Sequence, residues 1–136
     1  MAVIEEIIRV EENGSLSFGD YQAAEKKKID DFEVEGDLYK VKTFQEITRL
    51  EKNGKLLLET VPGTTVHKLA ITESTVKFDL EGTDDTRVTL ELAPDEIYRV
   101  LIEGINIGNV KSNVSGKVIF SLDIDNATKS VEIIKT

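Results

Sequence analysis

Apolar and polar residues alternate along this chain in short runs that return at close intervals. The clearest runs span 66–71, 76–80, 88–92, 98–102, 107–110, 118–122 and 131–134. A period of two sends successive side chains to opposite faces of an extended strand, so each run predicts a strand with one apolar face. Turn-forming segments separate most of them: Glu81-Gly82-Thr83-Asp84-Asp85, Glu103-Gly104-Ile105-Asn106 and Asp123-Ile124-Asp125-Asn126. Short loops of this kind join antiparallel neighbours. Many short strands at such spacing predict an all-β fold, an antiparallel sandwich.

The amino-terminal part adds an internal echo. The segment from Ile4 to Phe18 aligns with that from Phe44 to Leu58, and Glu, Ile, Arg, Glu, Asn and Gly recur in register. Asn-Gly favours the positive φ angles of a tight hairpin turn, so each copy reads as strand, Asn-Gly turn, strand, with Gly14 and Gly54 at positive φ. In this reading Ile4, Ile8 and Val10 share one pleat face, and Arg9 and Arg49 point outward. A helical alternative stays open for the second copy. Thr43 and Glu46 have capping-box spacing, Phe44, Ile47 and Leu50 are at helical spacing, and Gly54 suits a helix end. The β-forming run Tyr39-Lys40-Val41-Lys42-Thr43-Phe44 favours strands.

Pro62 and Pro94, the two prolines, both fall at junctions between runs. Pro62 suggests a division into a duplicated β-hairpin region, 1–61, and a β-sandwich region, 62–136, with the option that both share one core. A chain of 136 residues suits that scale, and 40% hydrophobic with 32% charged residues is the balance of a globular protein.

Charge and residue types narrow the function classes. A net charge of −9 disfavours nucleic-acid binding, which rests on cations neutralising phosphates. No apolar stretch has the length of a membrane span, and the acidic start lacks the basic region of an export signal, so no membrane partner and a cytoplasmic location are expected. The absence of cysteine removes disulfides, thiolate metal sites and a thiol nucleophile.

Leu92-Ala93-Pro94-Asp95-Glu96-Ile97-Tyr98, running into Arg99-Val100-Leu101-Ile102, resembles the Leu-x-Pro-x-x-x-Tyr passage of fibronectin type III and immunoglobulin-like domains. The resemblance covers roughly 62–135. It implies a structural role for Tyr98, whose hydroxyl would bond to the backbone upstream and pin the crossing between sheets. The segment 109–120 is similar to the closing hairpin of accessory β-sandwiches attached to polysaccharide-degrading enzymes. The whole chain, especially 36–44 and 59–66, resembles a group of small uncharacterised bacterial proteins sometimes labelled endosialidase. That label implies an arginine cluster, a tyrosine nucleophile and Ser-x-Asp-x-Gly-x-x-Trp turns. This sequence holds only Arg9, Arg49, Arg87 and Arg99 and has no tryptophan.

Candidate chemistry is sparse. His67 is the single histidine, too few for a histidine metal cluster, and the alternation around it predicts a side chain facing solvent. The pairs Asp30/Asp31, Asp84/Asp85 and Asp95/Glu96 have the residue types of glycoside hydrolysis, but neighbours on a strand face opposite sides. Asp123-Ile124-Asp125-Asn126 starts like a calcium loop but has Thr128 where the glycine belongs and Ile134 where the glutamate belongs. Tyr21 and Tyr39 are the candidate platforms for a sugar ring. No catalytic residue, cofactor or metal is assigned; the weak ligand candidates are Tyr21, Tyr39 and His67. The leading expectation is a non-catalytic β-sandwich interaction module with a protein or glycan partner. A small carbohydrate-active, endosialidase-like enzyme and a self-assembling subunit with exposed edge strands are the alternatives, so homo-oligomerisation stays open.

Overall fold

The computed structural model describes residues 3–136, which form thirteen β-strands and no helix. They are β1 (Ile8–Val10), β2 (Leu16–Phe18), β3 (Lys27–Val34), β4 (Asp37–Phe44), β5 (Ile47–Lys52), β6 (Lys55–Val61), β7 (Thr65–Ile71), β8 (Thr75–Glu81), β9 (Thr86–Glu91), β10 (Ile97–Ile102), β11 (Ile105–Lys111), β12 (Lys117–Leu122) and β13 (Thr128–Lys135). Seven strands in the order β1-β2-β7-β8-β13-β10-β11 make one sheet, and six in the order β12-β9-β6-β5-β4-β3 make the other. The two antiparallel sheets form the expected sandwich. Each takes strands from both sides of Pro62.

Alternation explains the packing. Tyr39, Val41 and Thr43 on β4, Val76, Phe78 and Leu80 on β8, and Val131 and Ile133 on β13 are buried, while their neighbours along each strand are more exposed. These inward residues join a single core that runs from Ile8 to Ile133. Burial of that apolar area is the main drive to fold.

Both echo copies form hairpins, which removes the helical alternative. Asn53 and Gly54, at φ 52° and 81°, make a two-residue loop between the paired Lys52 and Lys55, as expected of a primed turn. In the first copy Gly14 has φ 85°, but the loop is one residue longer, and the Gly14 N–H donates to the Glu11 carbonyl at 2.9 Å. The two hairpins lie in opposite sheets, β1–β2 in the seven-stranded and β5–β6 in the six-stranded one. Each keeps an arginine–glutamate contact: Arg9 Nε to Glu11 at 3.2 Å and Arg49 Nε to Glu51 at 3.3 Å. Val10, expected on the buried face with Ile8, is 44% exposed, because β1 is a three-residue edge strand whose end runs past the core.

Two features were not read from the pattern. The charged stretch Lys27–Val34, which does not alternate cleanly, is the edge strand β3. At the Pro62 crossing, buried threonines satisfy one another. Thr43 and Thr48 hydroxyls are 2.8 Å apart, as are those of Thr60 and Thr64, and the Thr48 hydroxyl donates to the Thr64 carbonyl at 2.7 Å. Hydroxyls removed from water need such partners.

Candidate functional site

His67 lies on the outer face of β7, as its alternation requires, yet it is 5% exposed, which corrects the expectation of a solvent-facing side chain. The reason is the chain that leaves β2. Gly19 crosses the end of β7, where its carbonyl accepts from the Thr65 hydroxyl at 2.9 Å, and Tyr21 then donates its hydroxyl to Glu81 Oε2 at 2.9 Å. The other oxygen of the same carboxylate, Oε1, lies 2.9 Å from His67 Nε2. Tyr21 and His67 are thus brought together by Glu81, at the end of β8, which sequence reasoning had assigned to a loop. Burial, reinforced by the Glu81 carboxylate, raises the Tyr21 phenol above its ordinary value. Tyr21 is half-buried, and its hydroxyl is committed to Glu81.

Cross-strand register extends this polar row. His67 pairs with Asp79 on β8, and Asp79 pairs with Ser130 on β13. These residues, with Lys68, Lys77 and Glu132, line a hollow of about 210 Å³ on the outer face of the seven-stranded sheet.

Tyr39 is elsewhere. It faces inward on β4 and is 9% exposed, so its ring is core and cannot offer a flat face for stacking, a second correction. Burial raises its phenol as well. It borders a cleft of about 440 Å³ that also takes in Leu16, Leu57, Leu69, Asp37 and Lys52. Asp37 is held low by its bond from the Asn53 amide and by the Lys52 ammonium at 3.6 Å.

The acidic loops gather Asp84, Asp85, Asp123 and Asp125. The Asp123 carboxylate lies against that of Asp85 and pushes its pKa up, and Asp84 and Asp125 add to the repulsion. Among the described residues no group of three His, Cys, Asp or Glu side chains is arranged to hold a metal.

The four sheet edges differ sharply. β1 is only three residues long, and β3 is bulged between Ile29 and Phe32 and carries Lys27, Lys28, Asp30, Asp31 and Glu33; short length, bulges and charge are how edges are protected from further pairing. β12 buries alternate residues, Val118, Phe120 and Leu122. β11 is exposed at every position from Ile105 to Asn109, with Ile105 at 67% and Ile107 at 52%, and carries no charge before Lys111. It hydrogen-bonds to β10 on one side alone. Among the described residues nine large apolar side chains are exposed, and five of them fall between 97 and 119: Ile97, Ile105, Ile107, Val114 and Ile119. The sequence reading put Ile105 and Asn106 in a turn, but both belong to β11, which strand order makes an edge.

No helix among the described residues is long and apolar enough to cross a membrane. Compared with known protein families, with characterised proteins and with solved structures, the chain matches none.

Proposed function

We propose that this chain is a non-catalytic β-sandwich interaction module that binds protein by strand addition at β11. The observation that carries this reading is the contrast among edges. β1 has only three residues and β3 carries five charged side chains, whereas β11 is uncharged before Lys111 and is paired on one side alone, beside exposed Ile105 and Ile107. Strand addition pairs such an edge and lets pockets or apolar side chains supply selectivity. A protein partner is favoured over a glycan because the ring of Tyr39, one of the two candidate sugar platforms, is buried in the core. The likeness of 92–102 to a fibronectin or immunoglobulin tyrosine corner is supported by the hydrogen bond from the Ala93 N–H to the Tyr98 hydroxyl; it bears on fold and leaves the partner open.

The test uses a fluorescent peptide copying Glu103 to Lys111 as a donor strand. Saturable binding, with new amide protection confined to Ile105–Lys111 and lost in Ile107→Lys, is the expected result. No binding, or protection appearing on β3 instead, overturns the reading. Release of product from sialic-acid polymers, abolished by changing two acids that leave stability intact, would replace it with the enzyme alternative.

A further inference from the structure

We propose that the cleft beside Tyr39 is a binding site for a small uncharged molecule with an apolar body and one hydrogen-bonding head, which the Tyr39 hydroxyl recognises. The cleft opens at the end of the sandwich where the β1–β2 and β3–β4 turns lie. Its strands β2 and β7 stand toward the opposite edge of their sheet from β11.

The walls come from both sheets. Leu16 on β2 and Leu69 on β7 are cross-strand partners, so they share one face, and both are buried. Across from them, Tyr39 on β4 pairs with Lys52 on β5, and Asp37, two residues before Tyr39, lies on that same pleat face. Leu57 is the extra residue where the β5–β6 register shifts, and the break in alternation lets it pack against the core as Leu58 does. These six residues line a space of about 440 Å³. Small-molecule sites fall in the range of about 300–1,000 Å³.

Tyr39 specifies the head. The hydroxyls of Tyr21 and Tyr98 are each hydrogen-bonded within the fold. The Tyr39 hydroxyl has no such partner among the described residues, although Tyr39 is only 9% exposed. Because no buried side-chain nitrogen or oxygen among them is left without a partner, this hydroxyl must reach solvent. The charged groups that act on its phenol are Lys52, Asp37 and Glu35, and all three line the cleft, so the cleft is where the hydroxyl opens. A ligand acceptor placed there meets a donor in surroundings where a hydrogen bond counts for more than in water. The rim selects against charge. An anion would meet Asp37 and Glu35, a cation would meet Lys52, and Asp37 and Lys52, 3.6 Å apart, already pair with each other.

Four probes with one body test the site on the intact chain: 4-methylphenol, toluene, 4-methylbenzoate and 4-methylbenzylammonium, whose heads are hydroxyl, none, anionic and cationic. Titration of the isotopically labelled protein at pH 7, followed by amide chemical shifts, should show saturable binding of 4-methylphenol with shifts gathered at residues 13–16, 34–39, 52–57 and 69–71. The other three probes should bind about fivefold more weakly, the scale of one hydrogen bond. Tyr39→Phe should weaken 4-methylphenol by about fivefold and leave toluene unchanged, a contrast that a general loss of structure would not produce. If Tyr39→Phe does not fold, the ranking of the four probes on the wild type decides alone. Equal affinity for 4-methylphenol and toluene overturns the role of the hydroxyl. Tighter binding of either charged probe overturns the uncharged head. Shifts centred on Ile105 and Ile107, or no binding of any probe, overturn the site.

Discussion

The Tyr98 hydroxyl accepts a hydrogen bond from the backbone N–H of Ala93 at 3.1 Å, tying β10 of one sheet to the segment that has just left β9 of the other. Tyr98 is 5% exposed, and Ser112 reinforces the same corner by donating its hydroxyl to the Ala93 carbonyl at 2.7 Å. Tyr98→Phe keeps the ring and removes the acceptor. It should lower unfolding free energy by about 1 kcal/mol or more, the usual cost of a lost buried hydrogen bond. Urea denaturation at neutral pH checks this, and an unchanged midpoint would mean the bond contributes nothing to stability.

Two glycines at opposite ends of β6 should respond differently to alanine. A Cβ on Gly54 meets no atom, so only the left-handed conformation, φ 81°, opposes it; Gly54→Ala should cost about 1 kcal/mol. A Cβ on Gly63 would collide with the Phe44 carbonyl oxygen, and the backbone would have to move, so that Gly63→Ala should cost clearly more, on the order of 2–4 kcal/mol. Thermal melts of both variants give the order.

Alkaline stability should depend on Tyr21. Its phenol pKa is raised in the folded state, by burial first and the Glu81 bond second. A raised folded pKa gives stabilisation that is fully present below the unfolded phenol value and is lost as pH rises through the folded one. The wild-type urea midpoint should therefore fall at alkaline pH, and Tyr21→Phe should show a smaller fall while being less stable at neutral pH. Parallel pH profiles would exclude the Tyr21–Glu81 contact as the source.

The Asp85–Asp123 contact works in the opposite direction at neutral pH. Asp123 raises the Asp85 pKa in the folded state, so any stabilisation is present below the ordinary carboxyl range and repulsion takes over above it. Asp85→Asn should raise the melting temperature at pH 7. The gain should shrink as pH falls through the carboxylate range. A variant less stable than wild type at neutral pH would show that Asp85 has a favourable partner there.

The sequence by itself determined the elements. Period-two alternation located the strands from β7 to β13, because each needs only one apolar face. Asn-Gly located both echo hairpins, because its φ preference is local. What tertiary structure alone decided was adjacency. Alternation put His67 on the outer face but could not show that Gly19 and Tyr21 would cross and cover it, since that contact joins residues far apart in the chain. The Tyr39 ring looked available because a β-strand has two faces and the pattern does not say which is inner where polar and apolar residues mix. The charged β3 escaped notice because edge strands are selected for charge instead of alternation. The openness of β11 is likewise invisible in its residues: an uncharged Ile105-Asn106-Ile107 run would be ordinary in the middle of a sheet, and strand order alone leaves it without a neighbour.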